Sequence, residues 1–417
     1  MIIDVAIIGA GPYGLSLAAH LNARGIEFRI FGEPMESWKT GMPPGMLLKS
    51  TPSASCLYDP DRHFTVQQFC AERDAPYHDT LMALPLDSFI TYGEAFQRRY
   101  VPTVERKKLT SLRQAPHGFA AVFDDDEVVD ARQVVVAVGV HPFKYMLRAV
   151  NGLPAEVLSH SGDYGPLDDL QGQRVTVLGS GASASDLAAL LHERGVAVSL
   201  VTGAPELRFA CPPRLPTFWE RIVEPPCGIG SGWVLKVCAD APRLTRLLPE
   251  PHRLRLAKVP GPLGGAFMKD RVIGKVPLFL GHTVVGAEAS GGKVRLFTKT
   301  SDGATTTLHV DHVLAATGYR LDLDRLSFLP ADLQARIRRF GGAPDLSPKY
   351  ESSVPGLYFI GPIAANSLGP VARFVFGALH PARALSRALP RKLGRRLVQV
   401  PKAPATVSQA LRRVELQ

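Results

Sequence analysis

Cysteine is scarce: Cys56, Cys70, Cys211, Cys227 and Cys238 are five in 417 residues, and no two stand as C-x-x-C. An odd, scattered set excludes a disulfide-stapled scaffold and a cysteine-based zinc site. The nearest two, Cys227 and Cys238, lie 11 residues apart, which excludes a local dithiol relay. No long uncharged apolar run occurs, so a membrane span is not expected. Met1 runs almost at once into a strand-like segment, Asp4 to Gly9, without the basic, apolar and small-residue order of a secretory leader. The expectation is a cytoplasmic protein with free thiols. Acid is in deficit, with 38 Asp and Glu against 48 Lys and Arg. Seven of the basic residues and one acid fall within 391–417, so the body is mildly basic and the tail strongly so. The tail reads as a solvated terminus, and no nucleic-acid module accompanies it.

What is present is a chain 46% apolar and 21% charged, long enough for two or three domains with cores of their own. Two segments look alike. Asp4 to Gly9 is an apolar strand, Gly9-Ala10-Gly11-Pro12-Tyr13-Gly14 a glycine turn, Leu15 to Arg24 a helix, and Ile26 to Phe31 the next strand. Arg174 to Leu178, Gly179-Ser180-Gly181-Ala182-Ser183-Ala184, Ser185 to Arg194 and Val196 to Val201 repeat that order. A strand–turn–helix–strand context turns a G-x-G-x-x-G pattern into a dinucleotide site. In such a turn the first glycine makes the bend, the second lets the backbone approach a pyrophosphate, and the third packs helix on strand. The helix N-terminus then offers free amides to the phosphates.

Two further strands end alike, Gln133 to Gly139 and Asp311 to Gly318, each after a meander-like stretch. Their nearly continuous apolar runs suit buried parallel strands. Gly356 to Gly361 is the last such strand, and Pro370 to Leu389 reads as a closing helix. Residues 203–275, rich in Pro and Gly, read as an irregular insertion. Glu33, just after the second strand, is the candidate acid for a ribose hydroxyl, although Gly32 stands where that acid is expected. No acid closes the corresponding strand after Val201. Arg208 follows, which favours NADPH through its 2′-phosphate.

The combination of the first fingerprint, a second of the form G-x-G-x-S-A, and Ala316-Thr317-Gly318-Tyr319 resembles the class B flavin-dependent monooxygenases. His160-Ser161-Gly162-Asp163-Tyr164 is similar to the second half of the flavin-containing monooxygenase signature. Trp38, Met46 to Ser50 and Pro85 to Tyr92 resemble stretches of the lysine and ornithine N-hydroxylases, with Leu47 in place of their Gln and no Arg in the last stretch. The resemblance implies an α/β fold of two Rossmann-like dinucleotide-binding domains, the NADPH domain inserted in the FAD domain. The boundaries expected are 1–165 with 310–390 for FAD, 166–309 for NADPH with the insertion at 203–275, and 391–417 for the basic tail.

It further implies FAD and NADPH as cofactors, capture of O2 by reduced flavin as a C4a-(hydro)peroxide, and oxygenation of a small organic substrate, with N-hydroxylation among the options. Gly9, Gly11, Pro12, Tyr13, Gly14, Glu33, Trp38, Thr317, Gly318, Gly361 and Arg373 are assigned to the flavin side of the cofactor site. Gly179, Ser180, Gly181, Ser183, Ala184 and Arg208 are assigned to NADPH. His160, Tyr164 and Lys49 are the candidate catalytic residues. Arg214, Trp219 and Trp233 are candidate substrate contacts, with core packing as the plainer role. No metal site, nucleic-acid partner or stable membrane insertion is expected, and a homo-oligomer is left open. A flavin-dependent NAD(P)H oxidase or reductase, and a non-catalytic redox sensor, are the alternatives.

Overall fold

Two sheets, the first mixed and the second parallel, each holding one strand–glycine turn–helix unit, organise the chain, for which a computed structural model describes residues 2–163, 167–211 and 214–394. In the first unit β1 (Ile3–Ile8) runs into α1 (Pro12–Asn22), then β2 (Phe28–Phe31), β3 (Val104–Glu105), and the antiparallel run β4 (Leu109–Ala115), β5 (Gly118–Phe123) and β6 (Val128–Val136). The second unit takes β7 (Leu158–His160), β8 (Arg174–Leu178), α2 (Ala182–Glu193) and β9 (Ala197–Thr202). Then come α3 (Phe218–Val223), α4 (Trp233–Asp240), α5 (Glu250–Leu256), β10 (Leu278–Leu280), the meander β11 (Thr283–Ser290), β12 (Lys293–Lys299), β13 (Thr305–Val310), and β14 (His312–Ala315). The chain returns to the first unit with β15 (Leu357–Phe359) and closes with α6 (Leu379–Lys392).

The first sheet has the order β3-β2-β1-β6-β5-β4, with β15 also paired to β6. The second has the order β10-β9-β8-β14-β7 and is parallel throughout. Every residue of β1 is buried, as a strand covered on both faces requires. Helix α1 is buried from Pro12 to Leu21 because it lies between that sheet and α6. Pro12 occupies its first position, where a missing N–H costs nothing.

Three expected boundaries are corrected. Strands β7 and β14 pair in the second sheet, so that unit starts before residue 166 and runs past 309. The region 203–275 is not irregular: α3, α4 and α5 occupy it, and it packs through Ile229, Cys238 and Ala239 onto Val371. Pro249 stands at the N-cap and Pro251 inside the first turn of α5, and Thr217 with Glu220 forms a capping box for α3. The closing helix begins at Leu379 rather than Pro370, after two short 3-10 turns separated by extended Phe374. The carbonyls of Ala372 and Phe374 face the Tyr13 hydroxyl there, at 2.9 and 2.8 Å. Most of the expected tail, residues 395–417, lies outside the described residues, as does Tyr164.

The first glycine of each turn, and the third of the first turn, are demanded by contact. Gly9 has φ +114° and Gly179 φ +144°, and a Cβ on either would strike the carbonyl of Ala137 or Ala316 respectively. A Cβ on Gly14 would strike the Gly9 carbonyl, whereas one on Gly11 meets nothing within 4 Å. Gly14→Ala should therefore destabilise the ligand-free chain by about 1–3 kcal/mol through overpacking. Gly11→Ala should leave its thermal midpoint within a degree or two of wild type. Thermal denaturation of both variants checks this, and equal losses would contradict the packing role of Gly14.

Candidate active site

Both glycine turns open onto one cleft of about 1730 Å³ between the units. The first turn contributes Gly9, Gly11, Pro12 and Tyr13, and the second Gly179, Ser180, Gly181 and Ser183. Gly14 and Ala184 stand behind the wall, where they pack helix on strand. The space beside Gly11 and the open side of Gly181, where a Cβ would approach only Pro262 at 3.7 Å, leave the backbone open as a pyrophosphate seat requires. The amides at the starts of α1 and α2 carry no side-chain cap, which suits two dinucleotide phosphate groups. The residues present thus fit FAD at the first turn and a nicotinamide dinucleotide at the second.

The remaining expected residues divide. Thr317 and Gly318 at the end of β14, and Gly361 beyond β15, line the cleft. Gly361 has φ +81° and faces the Tyr13 ring at 3.6 Å from its would-be Cβ. Glu33 is on the wall, with one carboxylate oxygen 3.1 Å from Lys39 Nζ and the other 3.2 Å from Arg106 Nε. Trp38 lines the cleft half-buried, with its ring edge-on to Phe89 at 4.5 Å. Arg208 is exposed and off the wall, and its carbonyl accepts from Gly264 N–H at 2.8 Å. Arg214 pairs with Glu220 on the surface, and Trp219 and Trp233 are both exposed, so neither core packing nor a cleft contact describes them.

His160 is buried and off the cleft wall, contrary to its expected catalytic place. Gly162 N–H donates to Nδ1 at 3.1 Å, and the ring's other nitrogen faces the Gly318 carbonyl at 3.0 Å. With Nδ1 accepting, the proton belongs on Nε2, and the neutral ring braces the strand end that carries Thr317 and Gly318. Burial lowers its pKa, in keeping with that neutral form.

Lys49 and Arg373 meet at the cleft from opposite ends of the chain. Lys49 Nζ donates to the Leu263 carbonyl at 3.2 Å, and Arg373 donates to that of Ala257 at 3.1 Å. Both keep accessible area because the cleft is open, yet surrounding protein crowds their charges. Burial lowers the pKa of each, and Arg373 adds repulsion at Lys49. Neither forms an ion pair with a carboxylate among the described residues, which leaves two desolvated cations suited to an anion. The sequence reading missed several wall residues: Lys258, His282 and Asn366, and Arg106, Lys107 and Lys108 near Glu33. Polar residues in loops between apolar strands were the available signal, but nothing in their spacing tied them to one cleft.

Asp186 is another residue the sequence reading passed over. It lies buried in α2, two residues after Ala184. Burial pushes its carboxyl up to about 7, against the opposing pull of Lys49 and Arg271. An acid beside a phosphate-binding turn is thereby held close to neutral.

The comparisons with known proteins agree with this architecture. The family model described as pyridine nucleotide-disulphide oxidoreductase matches residues 3–226. An indole-3-pyruvate monooxygenase of Oryza sativa subsp. japonica is 28% identical over 212 residues, which are 47% of this chain and 46% of that protein. The match therefore spans about half the length of that relative. An ornithine N-hydroxylase of Kutzneria sp. 744, solved with reduced FAD, NADP+ and L-ornithine, superposes with TM-score 0.76 at 17% identity, over 94% of this chain and all of that one. A cadaverine monooxygenase of Erwinia amylovora, solved with FAD, gives TM-score 0.73 at 16% identity, over 97% of this chain and 98% of that one.

The Asp186 carboxyl titrates higher folded than unfolded, so the folded chain binds the extra proton between about pH 4 and 7. The stability due to that proton is full below about pH 4 and is lost as pH rises through about 7, on the order of 4 kcal/mol at the limit. The midpoint of Asp186→Asn should consequently gain on wild type between pH 5 and 8. A difference that stays flat over that range would remove Asp186 as a buried titrating group.

Proposed function

We propose that this chain, which belongs to the pyridine nucleotide-disulphide oxidoreductase family, is an FAD-dependent, NADPH-consuming monooxygenase of a small organic substrate. The observation that carries the reading is the pair of matching glycine turns facing each other across one cleft. The fold likeness to the ornithine and cadaverine hydroxylases supports oxygenation, as does the indole-3-pyruvate monooxygenase match. None of the five cysteines lines the cleft, which disfavours dithiol chemistry. N-hydroxylation of an amine that also bears a carboxylate is the finer reading, because Lys49 and Arg373 supply a seat for the acid group.

When bound, FAD and NADPH supply hydride transfer and the activation of dioxygen. The chain's own residues bind, orient and enclose. Gly11 and Gly181 let the pyrophosphates reach the backbone, and Glu33 receives a ribose hydroxyl. Trp38 and Tyr319 provide apolar wall that excludes water from the reacting region. Lys49 and Arg373 orient the substrate through its anionic end. His160 acts as a positioning residue, holding Gly318 through its carbonyl. Arg208 is the proposed reader of the 2′-phosphate, reached from the rim beside Gly264.

Two measurements test this. NADPH oxidation, peroxide release and product formation are followed together on flavin-replete protein with ornithine, cadaverine and indole-3-pyruvate. A productive substrate should lower the peroxide-to-NADPH ratio well below one. A ratio of one with every substrate marks an oxidase, and no NADPH oxidation marks a sensor. Lys49→Met should raise KM roughly tenfold for a carboxylate substrate, the worth of one charge-assisted bond, and spare one that lacks the acid. In the second measurement Arg208→Ala should raise KM for NADPH by roughly tenfold and leave NADH unchanged. Equal effects on both nucleotides would remove Arg208 from the site.

A further inference from the structure

The region 203–275 spends its apolar residues in an unusual way. Phe218 is 71% exposed, Trp219 71%, Val223 72%, Trp233 57%, Val234 64% and Leu247 80%. These side chains belong to one continuous face. Phe218 and Trp219 stack edge to face at 5.7 Å on α3, and the Trp233 indole N–H at the start of α4 donates to the Ile222 carbonyl at 3.0 Å. Helix α4 packs in turn against the 3-10 turn Pro242–Leu247 that carries Leu247. The opposite side of α4, Cys238 and Ala239, is buried on Val371 and Phe374, so the outward apolar side is not spare core. Contiguous exposed apolar surface of this kind marks a binding surface.

Its surroundings carry more cation than acid, Glu224 being an exposed acid at the end of α3. Arg221, Arg243 and Arg255 are exposed on the same elements and form no ion pair among the described residues. Helix α6 adjoins the end of α4, where the His380 ring nitrogen lies 2.6 Å from the Ala239 carbonyl and both Arg243 and Arg383 act on that ring. Along α6 the exposed positions are Arg383, Arg387 and Arg391, spaced by four, while Ala384, Leu385 and Leu389 are buried. After α6 the sequence adds Arg395, Arg396 and Lys402.

We infer that this face docks on an anionic lipid surface. Trp and Phe side chains seat at the headgroup boundary, with arginines pairing to phosphate on either side. No described helix is long and apolar enough to cross a membrane, so the contact would be interfacial. A second copy is the weaker occupant, because a two-fold contact would bring the arginine stripe of α6 against a like-charged face. Helix α5 leads from this face to Leu254, Ala257 and Lys258 on the cleft wall, so a docked molecule would present its cleft beside the bilayer.

Flotation of the full chain with vesicles tests the inference. Binding to phosphatidylcholine vesicles containing about 30% phosphatidylglycerol should exceed binding to pure phosphatidylcholine at least tenfold. The variant Trp219→Ser/Leu247→Ser should lose binding at least tenfold while keeping the wild-type thermal midpoint, since both side chains already stand in solvent. Arg383→Gln/Arg387→Gln should lose the preference for phosphatidylglycerol. Absence of flotation overturns the proposal, as does flotation that the Trp219→Ser/Leu247→Ser variant retains, which would assign it to the tail. A wild-type dimer that this variant converts to monomer, without vesicle binding, would assign the face to a second copy.

Discussion

The molecule depends on a backbone-to-backbone approach made twice. The Ala137 carbonyl, just past β6, lies against Gly9, and the Ala316 carbonyl, just past β14, lies against Gly179. No side chain can stand between these strands and turns, so each glycine must open its sheet at one place. The helix that follows is then fixed at its start, with uncapped amides aimed into the cleft. The same contact fixes the ends of β6 and β14, which bring Val138 and Gly139 to one wall and Thr317 and Gly318 to the other. Strand pairing and phosphate seat are therefore one constraint.

The second requirement is that the two units hold their relation across the cleft. Tyr145 N–H donates to the Gly318 carbonyl at 3.0 Å, and the Thr317 hydroxyl donates back to the Tyr145 carbonyl. Lys144 bridges in strand fashion to Tyr319 and pairs through its ammonium with Asp163. Within the second unit His160 braces Gly318 from behind. On the other side Lys49 reaches the Leu263 carbonyl, and Arg194 reaches that of Pro44 at 3.1 Å. Most of these are neutral bonds to backbone, which salt screens little.

Much of this architecture is legible in the chain. The two glycine turns, the strands they join and the twin endings at Ala137 and Ala316 follow from local pattern, because strand and turn signals are local. What escapes is whatever depends on distant partners. Strands β7 and β14 join the second sheet because they pair there, which their own residues do not state. Pro249 and Pro251 read as breakers until their places at the start of α5 are known. His160 matches a family signature, yet its bonds to Gly162 and Gly318 make it a brace. Lys49 and Arg373 were each visible as single charges; only folding brings residues so far apart in sequence to the same wall.

The position after β2 shows how one local demand moves a functional group. Gly32 has φ +123°, and a Cβ there would crowd the Ala10 amide at 3.3 Å, inside the first turn. An acid at that position would combine a strained backbone with a tight contact beside the pyrophosphate seat. The nearest acid is Glu33, one residue on, which lines the cleft. There Lys39 and Arg106 hold its two oxygens from either side, and Lys39 is itself held by Glu94 at 2.6 Å. A carboxylate with one cation on each oxygen still has lone pairs for a ribose hydroxyl, and its negative charge is offset before any phosphate arrives. Glu33 on the wall is thus paired by cations and Asp186, buried in α2, is held near neutral by burial, while Lys49 and Arg373 form no ion pair with a carboxylate among the described residues.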